Sequence, residues 1–136
     1  DEIRTPPASM AASDVSAVPE VRAFLFDLQR DIAKRNNCLM DGRDIGTVVL
    51  PDAKVKIFLT ASPEERATRR YKELIEKGND VKYEDVLSEL IERDYNDSHR
   101  EIAPLKPAED SVTLDTTGLT LEESINEIIR IIKEKM

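Results

Sequence analysis

Twice in this chain a short run of mostly β-branched and apolar residues passes almost directly into a capped helix start. "KVKIFLT", residues 54–60, is followed by Ser62-Pro63-Glu64-Glu65, and "SVTLDTT", residues 111–117, by Thr120 with Glu123 three positions on. A hydroxyl that can take the first free amides, a glutamate three residues later and a proline at the first helical position each favour helix initiation. The helix from Ser62 is expected to run toward Lys77 and stop at Gly78. The one from Thr120 carries Leu121, Ile125, Ile128, Ile129 and Ile132 on one stripe. Upstream, Pro19 opens a helix with Val21, Phe24, Leu25, Leu28 and Ile32 at helical spacing, ended by Asn36-Asn37. Residues 37–40 read as a short buried strand, and Tyr83, Val86, Leu87, Leu90 and Ile91 mark a further helix. Residues 1–18, rich in Ala, Ser and Pro without a clear period, read on their own as a linker. Helix, strand, strand, helix pair, strand, helix is the order of an α/β protein with a mainly parallel sheet flanked by helices. Short strands without strict alternation suit a sheet covered on both faces. Ligands of such sheets collect at the carboxyl ends of the strands.

The core must be built mainly of Val, Ile and Leu, because 136 residues include no tryptophan, three tyrosines and three phenylalanines. A length of this size suits one domain. With 28 acids against 20 bases the formal net charge is −8, which argues against a nucleic-acid groove or an anionic membrane surface as the main partner. Phosphate can be bound only where arginines gather locally. The lone Cys38 cannot form an intramolecular disulfide, which fits a reducing compartment, and its apolar neighbours suggest a buried, inert thiol. No run reaches the ~18 apolar residues of a membrane span and no signal peptide is visible, so a cytoplasmic protein is expected. The start at Asp1-Glu2-Ile3-Arg4 suggests a piece of a longer chain. His99 is the only histidine; it is expected on a surface turn, and neither a His-based metal site nor a Ser-His-Asp triad can be assembled.

Three constellations carry chemistry. Asp41-Gly42-Arg43-Asp44 crowds two carboxylates and a guanidinium into four residues beyond the expected strand at 37–40. Asp-Gly alone would serve a turn, but a carboxylate there can also hold Mg²⁺ through water, as phosphoryl transfer requires. Arg93, Asp97 and Arg100 lie at i, i+4 and i+7, one face of a continuous helix bordering the Tyr83–Ile91 stripe. That row is either a surface ion-pair ladder, worth little, or one side of a cleft. Arg66, Arg69 and Arg70 share a helical face, where their mutual repulsion would be relieved by a polyanion as readily as by solvent.

With these residues in view, the chain resembles the C-terminal part of the bacterial cytidylate kinases, which are nucleoside monophosphate kinases of the P-loop class. "EIRT", the Ala-Ala-Ser of residues 11–13, "DGRDIGTVVLPDA" with "VKIFL", "ERA" with Arg69-Arg70, "ERD" and "APL" with "PAED" occur in the family's order. The resemblance implies phosphoryl transfer from ATP to CMP or dCMP with Mg²⁺. It places Ser13, Arg22 and Asp44 on the cytidine monophosphate, Arg43 on phosphate, and Arg93, Asp97 and Arg100 on sugar, phosphate and base. Arg43, Arg93 and Arg69 stand as the catalytic guanidinia, Arg66, Arg69 and Arg70 at the ATP side where a lid begins, and Asp41 as a water-mediated Mg²⁺ ligand. Residues 1–18 would end the monophosphate-binding insert, residues 66–100 would form the lid helices, and residues 71–83 the lid segment.

The family's phosphate loop, Gly-x-x-x-x-Gly-Lys-Ser/Thr, does not occur: Gly42, Gly46, Gly78 and Gly118 are the only glycines and none fits that spacing. The resemblance therefore implies a fold incomplete at the N-terminus, inactive alone, monomeric when complete, and dependent on an N-terminal segment of the same protein. A non-catalytic nucleotide- or protein-binding module derived from this fold is the alternative. An aspartate-nucleophile phosphohydrolase with Asp41 attacking phosphate is disfavoured, because its usual second acid two residues on is here Arg43.

Overall fold

The computed structural model describes residues 6–16 and 18–136; the "EIRT" stretch lies outside them. The chain divides into two compact units, Asp1–Gly42 and Arg43–Met136.

The first unit contains two helices. Helix α1 spans Pro6–Ser16 and α2 spans Pro19–Arg35. The linker expected at residues 1–18 is therefore helical over most of its length. Pro6 and Pro7 open the first turn, where a missing amide costs no hydrogen bond, and the Ala-rich run that follows has high helix propensity. Helix α2 begins at Pro19 and ends at Asn36, as its start and stop signals predict. Its apolar stripe is not buried within the unit: Phe24 is 70% exposed, and Leu25, Leu28 and Ile32 are also exposed. The strand expected at residues 37–40 is absent. Asn37–Met40 pair with no strand, Leu39 is 81% exposed, and Cys38 is exposed and not buried as its neighbours suggested. Cys38, Leu39 and Met40 form an apolar run, but no strand among the described residues lies alongside to pair with it.

The second unit opens with a single wide helical turn, Ile45–Val49, followed by β1 (Ile57–Thr60), α3 (Pro63–Glu76), α4 (Tyr83–His99), β2 (Val112–Asp115) and α5 (Leu121–Lys135). β1 and β2 pair in parallel, with Ile57 opposite Val112 and Thr60 opposite Asp115. The strands are shorter than the apolar runs that announce them. The Asp115 carboxylate turns back to accept from the Thr117 amide at 2.9 Å and its hydroxyl at 2.6 Å, which ends β2 in a side-chain-stabilised turn.

Both helix starts after the strands are capped, but differently. Thr120 and Glu123 form a complete reciprocal box. Ser62 accepts from the Glu65 amide at 3.2 Å, while the Glu65 carboxylate reaches Arg69 and not back to Ser62. The Ser62 amide does not need it, because it donates to Thr117 Oγ1 at 2.8 Å.

Helices α3 and α4 pack through Ala67, Leu74 and Val86, flanked by Tyr71, Val81, Tyr83, Leu87 and Leu90. Tyr71 and Tyr83 meet edge to face at 6.1 Å. Their connection is short because α3 ends in a Schellman motif: Gly78 takes φ +78°, its amide donates to Ile75, and that of Asn79 to Leu74. Ile131 is the buried residue of α5, whereas Leu121, Ile125 and Ile129 of its expected stripe are exposed.

Candidate functional site

Within the second unit Arg43, the third residue of the Asp-Gly-Arg-Asp motif, meets the α4 row. Asp97, 8% exposed, projects from the last turn of α4. Its Oδ2 accepts from Arg43 Nε at 3.0 Å and lies 3.9 Å from Arg93 Nε. A buried carboxylate is costly unless paired, and here two half-exposed guanidinia share it. One comes from the same helix at i−4 and the other from a loop 54 residues earlier. Leu105 returns to the same residue, its amide donating to the Asp97 carbonyl at 2.7 Å.

Arg100 is the C-cap and not a helical position, since α4 closes at His99. The expected continuous i, i+4, i+7 face therefore holds for Arg93 and Asp97, and Arg100 leaves it in extended conformation. Its Nε donates to the Ala103 carbonyl at 2.6 Å, and Ala103 takes a left-handed φ of 51°. Arg100 Nη2 is buried without a hydrogen-bond partner. His99, exposed, stacks on Tyr95 at the end of α4.

Asp44 anchors the turn beside Arg43. Its carbonyl accepts from the amides of Val48 at 2.9 Å and Val49 at 3.2 Å, and from Thr47 Oγ1 at 3.4 Å. Leu50 closes the turn on the Ile45 carbonyl at 2.7 Å.

In the second arginine cluster each member pairs with an acid. Arg66 grips Asp94 of α4 with both terminal nitrogens, at 3.0 and 2.5 Å, and donates through Nε to the Ala61 carbonyl at the end of β1. The hydrogen bond to Asp94 holds the Arg66 guanidinium above its ordinary pKa. Arg69 pairs with Glu65 and reaches the β2–α5 loop, donating to the Thr116 carbonyl at 2.8 Å. Arg70 pairs with Glu73, whose carboxyl is held below its usual range by Lys77 first and Arg70 second. Repulsion among the three is thus relieved internally. Asp94 and Thr116 were not singled out from sequence, and no local spacing points to partners 28 and 47 residues away.

The remaining expected residues lie in the first unit. Ser13 is in α1, its side chain outside the described set. Arg22, in α2, donates to the Ser16 carbonyl at 3.3 Å. Asp41 is exposed in the segment after α2. Among the described residues no group of three or more His, Cys, Asp or Glu side chains is placed to hold a metal ion. Asp41 is a lone exposed carboxylate, and Mg²⁺, which keeps several waters and shares substrate phosphates, does not require a protein cage. No helix among the described residues is long and apolar enough to cross a membrane.

The family model described as cytidylate kinase matches residues 1–134. Among curated relatives, a cytidylate kinase of Thermosipho melanesiensis is 55% identical over 135 residues, 99% of this chain and 62% of that protein. One of Thermosipho africanus is 56% identical, covering 99% of this chain and 61% of the relative. One of Clostridium tetani is 50% identical, covering 98% and 59%. The chain thus spans roughly three-fifths of the length of the curated relatives it matches.

Proposed function

The chain belongs to the cytidylate kinase family, and on that premise we propose that it carries the monophosphate side of a kinase that transfers the terminal phosphoryl group of ATP to CMP or dCMP. The observation that carries this reading is the buried Asp97 carboxylate holding Arg43 and Arg93 together. Two guanidiniums on one carboxylate leave a local excess of positive charge in a chain of net charge −8. An anion of phosphate chemistry suits that excess, because guanidinium forks match phosphate oxygens in pairs.

In this reading Arg43, Arg93 and Arg100 bind the monophosphate and stabilise the charge that develops on the transferring oxygens. The Arg43 and Arg93 contacts to Asp97 both go to Oδ2, so Oδ1 is the atom for a ribose hydroxyl. Asp44 accepts from the cytosine amino group, with Ser13 and Arg22 supplying donors to the ring. Arg66, Arg69 and Arg70 serve the ATP side, where the α3–α4 hairpin acts as a lid and residues 71–83 form its tip. Asp41 would hold Mg²⁺ through water, and the ion would neutralise phosphate charge. ATP's phosphates need a glycine-rich cradle that this sequence does not contain. The 136-residue chain alone is therefore expected to show no CMP phosphorylation, and a protein of the relatives' full length carrying it should.

Steady-state kinetics of Arg43→Met and Arg93→Met in that longer protein test the reading. Each loss should lower kcat/KM for CMP by about 10²-fold, or roughly 3 kcal/mol. Folded variants with unchanged kcat/KM would return the cluster to a structural role.

A further inference from the structure

Lys56, just before β1, is a buried cation whose side chain is 7% exposed. Its ammonium has three donors, and all three have acceptors. Asp110 takes two of them, at 2.8 Å through Oδ1 and 2.7 Å through Oδ2, and the Pro51 carbonyl takes the third. An ammonium so saturated has no donor left for a substrate, so Lys56 is not a phosphate ligand. What its burial accomplishes lies along the stem. The methylene groups pass against Gly46, where an added β-carbon would stand 3.5 Å from Cδ and 3.7 Å from Cγ. Gly46 belongs to the Ile45–Val49 turn, whose amides converge on the Asp44 carbonyl directly after Arg43.

Lys56 also joins the far ends of two loops whose near ends carry the candidate site. One leaves Arg43-Asp44, passes the turn and reaches Pro51, where the Ala53 amide donates to the Leu50 carbonyl at 3.1 Å. The other leaves Asp97, whose carbonyl accepts from Leu105, and ends at Asp110. Beyond Asp110 the chain enters the sheet, the Val112 amide donating to the Lys56 carbonyl at 2.9 Å. We propose that Lys56 is a positioning residue for the monophosphate site: its stem floors the turn that presents Arg43 and Asp44, and its ammonium fixes that turn to the loop descending from Asp97. This role rests on the function proposed above and adds a residue that touches no substrate.

The test uses the full-length protein carrying Lys56→Met, which keeps the apolar stem and removes the ammonium, with Asp110→Asn as a second variant that leaves every buried atom in place. Two readouts are needed: amide hydrogen exchange at Val48, Val49 and Leu50, and separate KM values for CMP and ATP. Lys56→Met should speed exchange at those three amides about tenfold relative to α5 and raise KM for CMP several-fold, with KM for ATP unchanged. Asp110→Asn should move both readouts in the same direction by less. A lowered Tm with exchange at residues 48–50 and KM for CMP unaltered would overturn the proposal, as would exchange accelerated equally across the chain. Arg43→Met in the same protein separates the two readings. If it leaves CMP kinetics untouched, the site assignment fails, and the exchange data alone judge whether Lys56 holds the turn.

Discussion

Asp94→Ala should destabilise the second unit by about 1–2 kcal/mol, although a surface ion pair would cost far less. Arg66 and Asp94 join α3 to α4 through two parallel hydrogen bonds, at 3.0 and 2.5 Å. Charge-assisted hydrogen bonds contribute roughly 1.5–3 kcal/mol where shielded, and exposed pairs about 0.2–1. With side chains 31% and 35% exposed, this pair falls between those limits. Removing Asp94 leaves a partly buried guanidinium with the Ala61 carbonyl as its remaining acceptor, so the single substitution measures an orphaned cation as well as a lost bond. A double-mutant cycle with Arg66→Met isolates the pair, and its coupling should be about 1 kcal/mol. For a chain of this size Asp94→Ala should lower Tm by about 4–8 °C. Urea unfolding is the suitable assay, since guanidinium salt screens the interaction under study. Coupling below about 0.3 kcal/mol would show that neither burial nor geometry strengthens the fork, and that the hydrophobic contact of Ala67, Leu74 and Val86 holds the hairpin.

Three further outcomes are expected. In the full-length protein, Asp44→Ala should reduce kcat/KM for CMP more than for UMP, because uracil offers no amino group there; equal losses would show that the Asp44 carboxylate does not read the base. Gly78→Ala should cost about 1 kcal/mol in urea unfolding, since φ of +78° strains any β-carbon even though nothing lies within 4 Å of it; an unchanged midpoint would refute the strain argument. The Glu123 carboxyl is held below its ordinary pKa by the Thr120 amide first and hydroxyl second. A depressed folded pKa contributes stability that is present at neutral pH and lost as pH falls through the carboxylate range. Glu123→Gln should therefore flatten part of the acid limb of the stability–pH curve, and an unchanged limb would deny the linkage.

What could be read from sequence follows from how local each cause is. Thr120 and Glu123 cap α5 reciprocally because every atom involved lies within four residues. Ser62 and Glu65 show the same letters but only half the box, because Thr117, 55 residues on, supplies the acceptor that the Ser62 amide would have sought from Glu65. Residues 37–40 failed as a strand for a related reason. An apolar run is necessary for a buried strand, but a partner must also be present, and sequence spacing does not supply one. Residues 6–16 failed in the opposite direction: their prolines suggested a linker, yet both sit in the first turn where helices accept them.

The arginines show the same limit at the candidate site. Spacing placed Arg66, Arg69 and Arg70 on one face, with a polyanion and solvent equally able to relieve them, and set the row of Arg93, Asp97 and Arg100 beside an apolar stripe as either a surface ladder or one side of a cleft. The tertiary pairing separates the two clusters. Asp94 and Glu65 pair with Arg66 and Arg69, and Glu73 is shared by Arg70 and Lys77, whereas Arg43 and Arg93 converge on the single buried carboxylate of Asp97. Arg100 is bonded through Nε to a backbone carbonyl, its Nη2 is unsatisfied, and it pairs with no acid among the described residues. Counting charges along the chain gives −8; contacts among the described residues set two guanidinia on the one carboxylate of Asp97. Proximity of guanidinium groups does not by itself mark an anion site. What sets the Asp97 cluster apart is two guanidinia on one buried carboxylate, and the contact that makes it, 54 residues apart for Arg43 and Asp97, exists only in the folded chain.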